Sequence, residues 1–162
     1  MADTPRLGCR HGLSPTHVKT REREPVPPSP IVGVMTVDDQ AVFRRVAREV
    51  IEATAGFKHL GEARSGEEAL ALADELRPDL VLLDVCMPGI GGVETARRIS
   101  ASYPAATIVL ISTAKVEDVA PGFVSCGASA FIRKEHFGPA ALQRLWSEHA
   151  HEEQEATWVG VE

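Results

Sequence analysis

The stretch DLVLLDVCMPGIGG, residues 79–92, runs four apolar residues into an aspartate, Asp84, and then breaks on Met-Pro-Gly. A short, continuous apolar run bounded by turn residues fits a strand buried on both faces of a sheet. Such a strand spends its length in the core and delivers a carboxylate at its end.

The pattern extends in both directions. Upstream, IVGVMTV (31–37) is a second apolar run, ending in Asp38-Asp39. After it, Val42, Phe43, Val46, Ala47, Val50 and Ile51 recur at helical spacing up to Gly56. HLGEA (59–63) reads as a weak short strand. Ser65-Gly66-Glu67-Glu68 opens a helix with Ala69, Leu72, Ala73 and Leu76 on one face, stopped before Pro78. Downstream, residues 92–103 form a predicted helix stopped by Pro104, and TIVLIS (107–112) a strand. Residues 118–126 read as a helix closed by Gly127 and AFIRK (130–134) as a strand, with a last helix over 139–150 carrying Leu142, Leu145 and Trp146. Strands and helices alternate throughout, which predicts an α/β fold: a doubly wound parallel sheet of five strands, covered on both faces.

Composition bounds the rest. A chain of 162 residues with 44% apolar composition suffices for one domain with a real core. Cys9, Cys86 and Cys126 show neither CxxC nor Cys/His metal spacing, which argues against a disulfide scaffold. No apolar run is long enough to span a bilayer, and the N-terminus lacks the apolar core of a secretory signal, so a soluble cytoplasmic protein without membrane contact is expected. A net charge of −6 argues against nonspecific nucleic-acid binding. Residues 1–30 hold six prolines and little apolar periodicity. They are expected to be a disordered, Pro-rich extension, with the domain proper at 31–150 and an acidic tail at 151–162.

In a doubly wound sheet, ligand chemistry gathers at the carboxyl ends of the strands. Asp38-Asp39, Asp84, Ser112 and Lys134 all fall at predicted strand ends. Three close carboxylates repel one another, which implies a compensating cation, and Mg²⁺ suits because it accepts carboxylate, carbonyl, water and phosphate oxygens together. With a lysine and a hydroxyl beside them, these groups suit phosphoryl transfer onto Asp84.

These residues also carry a family resemblance. VDD (37–39), LVLLDVCMPGIGGVE (80–94), IVLIS (108–112) and CGASAFIRK (126–134) resemble, in order and spacing, the receiver domain of bacterial two-component response regulators. The resemblance implies a flavodoxin-like (βα)5 sheet in strand order 2-1-3-4-5. It implies Asp84 as acceptor of a phosphoryl group from a histidine kinase or phosphotransfer protein. Asp38, Asp39, Asp84 and the Cys86 backbone carbonyl would hold Mg²⁺. Ser112 would be the switch hydroxyl, Lys134 the ion-pair partner of the phosphoryl group, and Phe131 the aromatic residue that turns with Ser112. Such a protein catalyses only its own phosphorylation and dephosphorylation. It signals through a downstream protein partner or a homodimer, without direct DNA binding.

Each residue has a plainer alternative. Asp38 or Asp39 suits a helix N-cap, Ser112 and Lys134 ordinary strand ends, and Phe131, Leu142, Leu145 and Trp146 plain core. Two departures from the family pattern stand out. Glu135 replaces the proline that often follows the lysine, as in regulators that usually carry helix-turn-helix output domains, yet only about a dozen residues follow the last helix, too few for such a unit. Pro121 and Gly122 interrupt the segment 118–126, which is expected to form a short, weak helix and a mobile output face. Two other functions remain open. One is a binding module of this fold that signals without phosphate. The other is an aspartyl-nucleophile phosphohydrolase, although that class expects an Asp-x-Asp pair on its first strand.

Overall fold

The computed structural model describes residues 30–114 and 125–149. The extension expected over 1–30 lies outside the described residues except for Pro30, as do the tail 151–162 and most of the helix expected over 118–126.

Five parallel strands form one sheet in the order β2-β1-β3-β4-β5. They are β1 (Val32–Val37), β2 (Phe57–Ala63), β3 (Leu80–Asp84), β4 (Thr107–Ser112) and β5 (Ala130–Arg133). The central strands β1, β3 and β4 are buried along their whole length, as their unbroken apolar runs require. The edge strand β2 is only partly buried and starts two residues before HLGEA. Its register slips between Val34 and Met35 of β1, which pair with His59 and Gly61 and leave Leu60 as the extra residue.

The described helices are α1 (Ala41–Ala53), α2 (Gly66–Leu76), α3 (Gly91–Ser102) and α4 (Pro139–His149). Helices α2 and α3 cover one face of the sheet over a core that includes Val81, Leu83, Ile108 and Leu110. Helices α1 and α4 cover the other over Val34, Leu80, Leu82, Val109 and Ile111. In α2 the Ser65 side chain accepts from the Glu68 N–H at 3.1 Å, and Glu68 returns to the Arg64 N–H at 2.9 Å, a reciprocal cap displaced by one residue.

The apolar spacing of α1 is less uniform in burial than in sequence. Ala47 and Ile51 are buried, Phe43 and Val50 half-buried, and Val42 and Val46 face outward. The buried contacts of this helix follow the four-residue spacing 43, 47, 51. Leu142 and Leu145 of α4 are core, and Trp146 meets Phe57 edge to face at 6.4 Å. The two leucines are thus the plain core that their helical spacing suggested.

Helix α3 begins hard against the end of β3. Gly92 donates its N–H to the Val85 carbonyl at 3.2 Å. A Cβ at Gly92 would run into the Asp84 carbonyl oxygen and lie 2.7 Å from the Val85 Cα. A residue without a side chain therefore lets the helix pack onto the strand end that carries Asp84.

Candidate functional site

The carboxyl ends of β1, β3, β4 and β5 form one rim. Asp38 follows β1, Asp84 ends β3, Ser112 ends β4, and Lys134 opens a single 3-10 turn (Lys134–His136) directly after β5 instead of closing the strand. Ligand oxygens of Asp38, Asp39 and Asp84 lie within 4.8 Å of one another, Asp38 and Asp84 buried and Asp39 exposed. The side chain of Lys134 is 9% exposed and meets both buried acids, with Nζ 2.6 Å from Asp38 Oδ2 and 3.2 Å from Asp84 Oδ2.

The two aspartates beside Lys134 are engaged differently. Asp38 Oδ1 accepts from the Gln40 N–H at 2.8 Å, so this carboxylate orders the turn into α1, but the N-cap position itself is Gln40, and neither Asp38 nor Asp39 is the helix cap that the plainer alternative offered. Buried Asp38 Oδ2 accepts no well-oriented hydrogen bond and meets the Lys134 ammonium chiefly as a charge. Asp84 Oδ1 accepts from the Cys86 N–H at 3.2 Å, and Oδ2 from Lys134 Nζ at 3.2 Å. Burial raises the pKa of Asp84, the neighbouring Asp38 charge adds to this, and Lys134 opposes it. Burial would lower that of Lys134, but Asp38 and Asp84 together outweigh it and hold the pKa above the usual lysine value.

The other expected site residues stand around this core. Ser112 is buried, and its Oγ accepts from the Ala114 N–H at 3.1 Å. Cys86 is exposed at the loop after β3. Phe131 is half-buried and packs on the face covered by α2 and α3. The donors that converge are hard carboxylate oxygens, one of them buried without a well-oriented hydrogen bond, a set that fits Mg²⁺ better than a soft metal.

The family model of the response regulator receiver domain matches residues 34–145. The chain belongs to this family. Response regulator GacA of Pseudomonas viridiflava is 35% identical over 104 residues, which cover 64% of this chain and 49% of GacA. Protein-glutamate methylesterase/protein-glutamine glutaminase 5 of Myxococcus xanthus is 37% identical over 118 residues, or 71% of this chain and 33% of that protein. The receiver domain is also similar to a solved LuxR-family two-component response regulator from Aurantimonas sp. SI85-9A1. That pair shares 33% identity with a TM-score of 0.63, covering 70% of this chain and 80% of the other. The chain spans about half the length, or less, of these curated relatives.

Three supports of the receiver site are not evident in the sequence. Arg44 Nη1 donates to the Asp38 carbonyl at 2.7 Å, while its Nε pairs with Glu62 at 3.4 Å. Arg48 pairs with the same Glu62 at 2.6 Å. Burial would raise the Glu62 pKa, but Arg48 and Arg44 outweigh it and leave it below the usual carboxylate value. Glu67 at the start of α2 accepts from the Ile90 N–H at 3.2 Å and so tethers the loop after β3. The third is Phe43, whose ring centroid lies 4.7 Å from Lys134 Nζ. The apolar spacing of α1 did not choose between the row Val42, Val46, Val50 and the row Phe43, Ala47, Ile51.

Proposed function

We propose that this receiver domain takes a phosphoryl group onto Asp84 from a histidine kinase or phosphotransfer protein and passes the signal on by protein–protein contact. The observation that carries the proposal is a buried carboxylate at the end of β3, with a lysine ammonium 3.2 Å from one oxygen and two further acids beside it.

An Asp84 carboxylate oxygen attacks phosphorus. A P–O bond forms as the donor's P–N bond breaks, and the electron pair leaves on the imidazole nitrogen, which takes up a proton from solvent. Asp38, Asp39, Asp84 and the Cys86 carbonyl would hold Mg²⁺, which neutralises negative charge on the acids and on the phosphoryl oxygens. The buried strand β3 fixes the nucleophile, and the Cys86 N–H holds Asp84 Oδ1, leaving little conformational freedom to lose on reaction. Lys134 then pairs with the phosphoryl group. Ser112 gives up its Ala114 contact and donates to a phosphoryl oxygen, and Phe131 turns into the space vacated. The changed surface binds a downstream protein or a second copy of the chain. On this reading the chain works in the cytoplasm, without contacting DNA, and catalyses only its own phosphorylation and dephosphorylation.

Intact-mass analysis after incubation with Mg²⁺ and acetyl phosphate tests the proposal. One phosphoryl group per chain is expected on the native protein and none on Asp84→Ala. Equal labelling of both, or neither labelling nor beryllofluoride binding on a folded native protein that binds Mg²⁺, would remove Asp84 as acceptor. The second result would support a module that signals without phosphate.

A further inference from the structure

Lys134 is held by more than its two acids. The Phe43 ring, in the first turn of α1, stands 4.7 Å from the ammonium. It is braced by Phe137, whose ring lies 6.1 Å away at an interplanar angle of 48°. Phe137 directly follows the turn that begins with Lys134, and its N–H donates to the Lys134 carbonyl at 3.3 Å. The two rings therefore link α1 to the segment that carries the lysine.

These contacts respond differently to a metal ion. Asp38 and Asp84 hold the ammonium by charge, and the same two carboxylates belong to the acidic group that would hold Mg²⁺, so lysine and metal would compete for their negative charge. The attraction of a ring face for a cation comes from the ring's quadrupole and is indifferent to whether a carboxylate is free, metal-bound or phosphorylated. We infer that Phe43 is a positioning residue: its ring keeps the Lys134 ammonium at the site when the carboxylates are taken, and sets how strongly the lysine competes with Mg²⁺. The inference rests on the proposed function for its consequence, but its ring and metal contacts can be measured without phosphorylation.

An aromatic residue that merely fills the core makes different predictions. Losing it would loosen the fold and weaken metal binding along with stability. Losing a ring that holds the competitor should tighten metal binding even as stability falls.

The test uses the full chain with Phe43→Leu, which keeps an apolar side chain, and Phe43→Tyr, which keeps the ring. Phe43→Met replaces Phe43→Leu if the latter does not fold. Mg²⁺ affinity is measured by titration calorimetry, and the Lys134 ε-methylene proton shifts by NMR of the metal-free protein. The native protein and Phe43→Tyr are expected to show these protons shifted upfield by the ring current, and the leucine variant is expected to lose the shift. Mg²⁺ is expected to bind the leucine variant about threefold more tightly, the size of a modest cation–π contact, with Phe43→Tyr close to native. Unchanged or weaker Mg²⁺ binding in the leucine variant, or no upfield shift in the native protein, would overturn the inference. A native protein with no Mg²⁺ affinity would overturn it as well. A native protein that binds Mg²⁺ but takes up neither a phosphoryl group nor beryllofluoride would sink the proposed function alone, and the affinity comparison would still decide the role of Phe43.

Discussion

Replacing Lys134 with methionine is expected to destabilise the metal-free protein by about 3 kcal/mol, the usual scale for removing one partner from a buried charge cluster. Methionine keeps the apolar stem and removes the ammonium. Two carboxylates that are 0% and 2% exposed, Asp38 and Asp84, would then face each other without a cation between them. The effect should depend on pH with a definite sign. The folded-state pKa of Asp84 is already above its ordinary value, through burial first and Asp38 second, and Lys134 is the group opposing that rise. Without it the pKa goes higher. An acid whose folded pKa lies above its unfolded value favours the folded state while protonated, and that benefit is lost as pH rises through the folded pKa. The variant should therefore lie closest to the native protein at acidic pH and furthest from it at neutral pH. Mg²⁺ should restore much of the difference, because a cation that binds only the folded state stabilises it by mass action. Urea unfolding at several pH values, with and without Mg²⁺, measures all of this. A constant deficit insensitive to pH and Mg²⁺ would mean that Lys134 contributes packing rather than charge.

Gly92→Ala is expected to cost about 2–3 kcal/mol, at the upper end for overpacking, because the clash is with backbone rather than with a movable side chain. The added methyl group would press on the carbonyl of Asp84 and on Val85. Relief requires α3 to move off β3 or the strand end to shift, and the strand end carries the proposed phosphoacceptor. A slower uptake of phosphoryl groups from acetyl phosphate should therefore accompany the loss of stability. Gly91, whose φ is +74°, has open space where a Cβ would stand, so Gly91→Ala should be destabilised through backbone conformation alone, with little effect on phosphorylation. Thermal unfolding and initial phosphorylation rates of the two variants distinguish a steric block at the site from general strain in the loop.

The central strands were legible because burial on both faces forces continuous apolar runs, and those runs end in the residues that meet at the rim. The edge strand was less so. The extra residue Leu60 lies between the residues that pair with Val34 and Met35, and only pairing with β1 shows that Phe57 and Lys58 belong to the strand. Asp38, Asp39, Asp84 and Lys134 could be brought together from sequence because parallel topology puts all strand ends on one side. Arg44 could not. A charged residue on an amphipathic helix reads as solvated, and its bond to the Asp38 carbonyl depends on how α1 is rotated over the sheet. The same rotation turns Val42 and Val46 outward and Phe43 toward Lys134, a choice that apolar spacing alone left open.

The central claim is that Asp84 itself becomes the acyl phosphate. Borohydride reduces an aspartyl phosphate to homoserine, which permits a direct assignment. The protein would be treated with Mg²⁺ and acetyl phosphate, reduced, digested and sequenced by mass spectrometry. Homoserine at position 84, absent when Mg²⁺ is chelated, is the predicted result. Homoserine at Asp38 or Asp39, or none in protein shown by intact mass to carry a phosphoryl group, would contradict the claim.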